Sequence, residues 1–541
     1  MARPMVYRRL RAPAEDGGVL LDPPAGEISA LIAANVARRS SGNVDLGGRS
    51  LGELRRDARI HVLQAARDYT SRYADASWVD ARLSNDRIYV TGHQPELFHP
   101  GVWLKNFVLD ALARRDGALA VHVLIDNDEA HAPAIRVPAG SLAEPRIENV
   151  AFDEATAACA WEERAIEDAA TFGSFGKRVR ETIAPLVADP LVAALWRDAA
   201  AVLKSTSNIG RALAQMRHQR EIAWGVRSLE VPLSSLIDSP AFHYFTAYLL
   251  AELPRFHAAH NASLDEYRSV HKLRSASQPL PDLAAHDGWH ESPFWIWTKQ
   301  DATRRKLLLK REGDIWSLQA GLDGESRTGT LARRDATNLT AYIESLRQSG
   351  VKIRPRALVT TMMLRLLASD LFIHGIGGAK YDQVTDRIIE EFFGIEPPGF
   401  LTATGTRLLP VPLAIAAAGD VEQIDRLLRE LRFKPEDHVD IAEHGDGERS
   451  RIEQLIADKR RWLRAEVPPE KLAERHRALA EINAALENYV SSRRAALSAE
   501  RLRVEHELRR QAILGSREFS FCLYPEATLR EWLLDAAAQA L

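Results

Sequence analysis

Cysteine is nearly absent: Cys159 and Cys522 are the only two in 541 residues. They lie far apart without metal-ligand spacing, which excludes a disulfide framework and a thiolate zinc centre and fits a reducing cytoplasm. Long hydrophobic runs are missing too. No window approaches the roughly 20 uninterrupted apolar residues of a membrane span, and the longest candidate, 408–418, is short and carries two prolines. The basic stretch at residues 1–9 lacks the apolar segment of a secretory signal. An excess of one charge is also lacking. Lys and Arg total 71 against 74 Asp and Glu, and the net charge of −3 gives no global reason to expect nucleic acid as a partner. With 27% charged and 46% apolar residues the composition is that of an ordinary globular protein. The length suits about two to four domains, or one large core with insertions.

What the chain does have is a concentrated stretch at 87–107. Ile88 to Val90 is a β-rich run, Gly92, Pro95, Pro100 and Gly101 punctuate a polar turn, and Leu104, Val108 and Leu112 recur at helical spacing. That predicts strand, loop and helix. A second strand over 120–125 ends in Asp126-Asn-Asp-Glu-Ala-His131 and closes a βαβ unit. Ligands of open α/β sheets collect at the carboxyl ends of strands, where both polar clusters fall, so this is the candidate active site. The rhythm returns at 371–393, where an apolar run ending in His374 leads into Gly375-Ile-Gly-Gly-Ala-Lys-Tyr-Asp-Gln383 and a helix. Glycines ahead of a helix start let an anion reach unpaired N–H groups; they equally make a plain tight turn.

Around these stretches, residues 1–85 read as a polar lead-in with helices at 28–37 and 51–73. Residues 86–445 read as the core, with a helical insertion over about 154–290 and a β-meander over about 292–319. The 301–305 loop reads as a solvated turn, with a phosphate clamp as its lesser alternative, Glu312-Gly-Asp as a hairpin turn, and 357–361 as a short strand. From 446 the composition turns to Arg, Glu and Ala. Leu472, Leu479 and Leu486 repeat at heptad spacing, and Val490, Leu497 and Val504 continue in a shifted register. Pro468 and Pro469 separate this long helix from one at 448–465, so 446–514 reads as an antiparallel helical hairpin. Its apolar seam predicts a homodimer through this arm. Residues 515–541 read as a strand, 519–524, and a helix returning to the core.

The first loop gathers Gly92, His93, Gln94, Glu96, His99 and Gly101, with Lys105 one helical turn further on. His99, the N–H groups after it and Lys105 suit phosphate oxygens; the alternative is a pair of exposed neutral histidines. Asp126, Asp128 and His131 offer a general base for an amine or thiol, a helix cap, or metal ligands. No metal site is assigned. Cys159 reads as small buried packing; His290, Trp295 and Trp297 are candidates to line a pocket, with core packing in the meander the commoner role for such tryptophans.

The stretch from Thr91 to Lys105 resembles the Thr-Gly-Gln-Gln loop of the bacillithiol-biosynthesis cysteine-adding enzymes, which also follows a first strand and opens a helix. Residues 123–131 resemble that family's second strand with its acidic-histidine ending, 307–318 its β-hairpin, and 371–393 its Gly-Gly loop and helix. The arm and the closing segment correspond in order. His93 stands where the family loop has its first glutamine, and Asn127-Asp-Glu-Ala130 replaces Glu-Asp-His-Asp. Pro95 and His99 partly resemble the Gly-x-Phe-x-Pro-x-His-x-Gly-His loop of adenylyl-transferring enzymes, without its last histidine.

The resemblance implies an α/β fold with a Rossmann-like, nucleotidyltransferase-like parallel-sheet core, a dimerising coiled coil, and a ligase that joins cysteine to an aminosugar-malate-like acceptor. On this reading Asp128 is the base on the amine, His93 orients or protonates, and His99 meets the anion. Binding falls to Thr91, Gly92, Gln94, Gly101, Lys105, Asp126, Gly377, Gly378, Lys380, Tyr381 and Asp382. ATP or another adenine nucleotide is the candidate co-substrate, and no resident cofactor is assigned. The rival readings are nucleotidyl transfer to a small molecule and a non-catalytic dimeric scaffold, with neither a nucleic acid nor a membrane as partner.

Overall fold

In a computed structural model the residues described are 5–41, 44–82, 87–275, 277–313, 315–321, 326–330, 336–413 and 417–541. The expected boundary at 85–86 and Asp314 of the expected hairpin turn lie outside them. The chain divides into two compact units. One comprises Met1–Ala139, Ile147–Pro410 and Arg517–Leu541, the other Gly140–Arg146 and Val411–Ser516.

The first unit is α/β and is built on a six-stranded sheet of β1 (Val19–Asp22), β2 (Ile88–His93), β3 (Leu119–Leu124), β4 (Leu229–Pro232), β5 (Leu371–His374) and β6 (Phe400–Gly405). The spatial order is β1-β6-β5-β2-β3-β4. Neighbours from β6 to β4 are parallel, and β1 pairs antiparallel with β6. β1 lies within the stretch read as lead-in and helices. Four residues of intermediate burial carry too little apolar pattern to announce a strand, and its partner is far away in sequence. The parallel strands read as continuous apolar runs because both faces are covered; every residue of β3 is buried.

From β2 the chain works outward to β3 and β4 and then returns to the other side of β2 as β5 and β6. The strand order therefore reverses between β2 and β5. Helix α1 (Leu51–Thr70) opens on a capping box of Ser50 and Glu53. Helix α2 (Pro100–Asp116) links β2 to β3, with His99 as N-cap, proline in the first turn and Gly117 at φ 63 closing it. Helix α3 (Ile376–Phe393) links β5 to β6 and closes on Gly394. These two crossovers run in opposite directions along the sheet, so right-handed connections put α2 and α3 on opposite faces. Their partners differ accordingly: α2 packs on α4 (Glu526–Ala538), and α3 on Leu253–His271.

A second, antiparallel sheet in this unit orders Ser326–Thr330, Ile315–Ala320, Arg305–Glu312, Trp289–Thr298 and Val351–Pro355. It contains the expected meander and extends it on both sides. Two short strand expectations fail. Ala357–Met363 is a helix running into a π-turn at Leu364–Ala368. Its β-branched Thr361 donates its hydroxyl to the Asp382 carboxylate of α3, 2.6 Å away, a contact made across the two helices. Residues 519–524 hold a 3-10 turn, Phe521–Leu523, capped by Ser520. All six are buried, so the alternation read as one face in and one face out separates nothing here.

The second unit packs Asp446–Arg464 on Leu472–Glu487, and Ala418–Phe433 on Ser491–Leu514. Ile452, Leu455, Ile456 and Leu486 form its apolar centre. The helix expected to run unbroken from Leu472 is interrupted by a 3-10 turn at Asn488–Val490. The break coincides with the register shift from Leu486 to Val490, where four residues replace seven and the apolar stripe changes direction.

Candidate active site at the strand-order reversal

The β2 and β5 loops open onto one cavity of about 910 Å³ in the first unit. Gly92, His93, Gln94, His99, Lys105 and Asp128 line it from the β2–β3 side, and His374, Gly375, Gly377, Gly378, Lys380 and Tyr381 from the β5 side. The two glycine-containing loops therefore face the same space. Thr91 seals the junction, its hydroxyl donating to the Ile373 carbonyl at 2.7 Å. The second sheet supplies Trp295 and the loop between two of its strands supplies Arg304, and Arg356 and Asn127 complete that wall.

Six cationic side chains line the cavity, Arg11, Lys105, Arg304, Arg356, Lys380 and Arg517; Arg304 pairs with Asp128 and Glu129, Arg356 with Glu291 and Arg517 with Glu518, so the cations still outnumber the carboxylates around them. The four lining imidazoles add no charge near neutrality. Burial lowers His99 and His260 to about 4, with Arg517 and Lys105 adding to the effect at His99. Burial likewise pushes His93 well down, with Lys105 adding, and lowers His374 despite the neighbouring Asp382. Such a cavity favours an anionic occupant.

Individual roles differ from those read in the sequence. His99 caps α2, its Nδ1 accepting from the Gly101 N–H at 3.1 Å. Gly101 is consumed by packing. A Cβ there would collide with the Gly405 carbonyl, and its own N–H is taken by His99, so it offers an anion nothing. Gln94 donates to Asp128 Oδ2 at 2.6 Å, while Arg304 and the Glu129 N–H, both at 2.9 Å, hold Oδ1. Asp128 thus organises the loop and has both oxygens engaged, a poor state for a base. Asp126 is buried away from the cavity and takes the Ser234 N–H at 2.9 Å and hydroxyl at 2.6 Å. Burial, reinforced by Glu162, lifts it to about 6. His131 pairs with Glu96. The three side chains weighed as metal ligands thus have separate partners, and no group of three or more His, Cys, Asp or Glu that could hold a metal occurs among the described residues.

His93 Nδ1 lies 3.0 Å from the Gln94 carbonyl, so that nitrogen carries the proton and Nε2 keeps a lone pair. Lys105, 3% exposed, donates to the Gly92 carbonyl at 3.0 Å. Asp382 lies behind the cavity wall. It accepts from His374 Nε2 at 2.6 Å, Thr361 at 2.6 Å and Arg365 at 2.8 Å. Burial works to raise its pKa, but His374 and Arg365 outweigh that and hold it below the usual carboxylate range. His374 therefore presents Nδ1 as its free lone pair.

The sequence reading missed His374 and Arg356, and weighed Trp295 and the loop of Arg304 only as secondary candidates. A histidine closing a buried strand immediately before a glycine was a usable signal for His374. Arg356 had none, and the polar loop of Arg304 and the meander tryptophan gave only a weak one, because their surroundings come from distant segments. Both guanidinium groups lie over the Trp295 ring, Arg304 at 4.9 Å and Arg356 at 4.7 Å from its centroid. No protein-family model matches the chain, and no curated protein matches it. No helix among the described residues is long and apolar enough to cross a membrane.

Proposed function

We propose that this chain is an enzyme that forms an amide between cysteine and an aminosugar-malate-like acceptor, as its resemblance to the cysteine-adding enzymes implies. The observation that carries the reading is the convergence of the Gly92 and Gly375 loops on one cation-rich cavity where the strand order reverses. A parallel order that reverses beside the first strand is also what a Rossmann-like, nucleotidyltransferase-like core requires.

In this reading the arginines at Trp295 hold the acidic groups of the acceptor. The amine attacks an activated carboxyl carbon. The C–N bond forms as the bond to the leaving group breaks, and the amine loses a proton. His374, neutral and oriented by Asp382, is the base best suited to take that proton. Asp128 positions Gln94 and Arg304. The arm belongs to the same proposal as the coiled coil of a homodimer, and the site is that of a cytoplasmic enzyme.

The decisive assay incubates purified protein with cysteine and an aminosugar-malate conjugate, with and without ATP, and seeks the amide by mass spectrometry. Product lost in a His374→Ala variant is the expected result. Pyrophosphate release from ATP without any need for cysteine would transfer the proposal to nucleotidyl transfer. No product and no thermal shift with any of these compounds would leave the scaffold reading.

A further inference from the structure

Lys105 is an almost fully buried ammonium whose only hydrogen-bond partner among the described residues is the neutral Gly92 carbonyl. The titratable and charged groups that face it are His93, His99, His374 and Arg217. All are neutral or cationic, and no carboxylate is among them. Burying a cation without a counter-charge is costly, and an anion arriving in the cavity would remove that cost.

The opposite wall is made to receive one. Gly375 sits so close that a Cβ on it would lie 3.8 Å from Lys105 Cδ. It opens the 18-residue α3, whose N-cap makes no side-chain bond to the first-turn N–H groups. Gly377 faces open space, with nothing within 4 Å of a Cβ built there, and Lys380 lines the same wall. A compact ammonium beside free backbone donors fits a tetrahedral anion. The planar forks that suit carboxylates, Arg304 and Arg356, are gathered at Trp295 instead.

We propose that the Lys105–Gly375 end of the cavity binds a phosphate group, carried by a nucleotide or by a phosphorylated small molecule, with Lys105 as its counter-ion. This rests on the reading of the cavity as a substrate site and names the chemistry of one end of it. Burial, with Arg217 adding, lowers the Lys105 ammonium to about 7. A bound phosphate raises it again, so binding at pH 8 draws a proton to Lys105.

Isothermal titration calorimetry at pH 8 tests this, with pyrophosphate, ATP, a sugar monophosphate and malate each titrated in two buffers of different ionisation enthalpy. Binding of at least one phosphate compound is expected, and the tightest of them identifies the source of the phosphate. K105M should weaken it about ten- to a hundred-fold, the loss of a charge-assisted contact, and remove one proton's uptake relative to wild type. G377D places a carboxylate in open space, where it should leave folding intact and weaken the same ligand at least as much. Phosphate compounds that fail to bind, or that bind K105M as tightly as wild type, overturn the assignment. Malate binding without any phosphate compound overturns it too, yet leaves the proposed function standing; failure of all four counts against both.

Discussion

Gly378 lies directly against the His374 imidazole: a Cβ on Gly378 would sit 2.5 Å from His374 Nδ1. The other ring nitrogen is fixed 2.6 Å from Asp382, so the ring cannot retreat without breaking that bond. In an ordinary helix, replacing glycine with alanine stabilises by roughly 0.5–1 kcal/mol. Gly377→Ala should show that gain, since its space is open. Gly378→Ala should instead lose about 1–3 kcal/mol through overpacking. Urea denaturation of the two variants measures the contrast, and equal signs at these adjacent positions would contradict the placement of His374.

The strand-loop-helix at β2 and α2 was legible because its signals are local: apolar periodicity, glycine and proline punctuation, and a helix closed by Gly117. The site built from it was only half legible. Thr91 bonds to the carbonyl of Ile373, 282 residues on, and nothing in either segment announces that the loops after them share a cavity. Arg304 shows the same limit. In its own segment it belongs to a hydrophilic turn, and it is the 127–129 segment, with Asp128 176 residues earlier, that draws it into the site. Buried segments misled in the opposite way, since alternation in 519–524 carries no information once every residue is covered.

Lys105 should make stability depend on pH in a defined window. Its pKa falls from an ordinary 10.5 to about 7 in the folded chain, chiefly through burial. Between these values the unfolded chain binds more protons, so stability rises with pH from about 7 to about 10.5. Below 7 both states are protonated and the full cost of burying the ammonium is present. K105M has no such cost. It should exceed wild type in stability at pH 6 by on the order of 2–4 kcal/mol, with the gap narrowing at pH 9. Denaturant titrations at both values check this, and a pH-independent gap would show that Lys105 titrates normally.

Asp370 ties the beginning of β2 to the helices beneath it. Its side chain is fully buried, pairs with Arg39 and Arg59, each at 2.8 Å, and accepts the Ile88 N–H at 2.8 Å. Asp370→Ala would take the carboxylate from two buried or part-buried arginines and the acceptor from that N–H together. A loss of about 3–5 kcal/mol is expected, as for other broken buried pairs. Chemical denaturation gives the value, and a change below about 1 kcal/mol would place the pair among the weak surface bridges.

The proposed dimer can be tested without disturbing the fold of the second unit. Leu463 and Leu472 are each 51% exposed there and Leu502 is 61% exposed, while Leu486 and Val504 of the same helices are buried. Leucines left in solvent cost stability nothing to replace, since exposed substitutions usually change it by about 0.5 kcal/mol or less. A covered apolar seam is where a polar replacement would be felt. The triple variant Leu463→Glu, Leu472→Glu, Leu502→Glu should therefore remain folded and elute as a monomer, with light scattering giving half the wild-type mass. Deleting 447–513 should likewise give a monomer. If wild type is itself monomeric, or if both variants retain its dimeric mass, association through the arm is wrong and these leucines face only water.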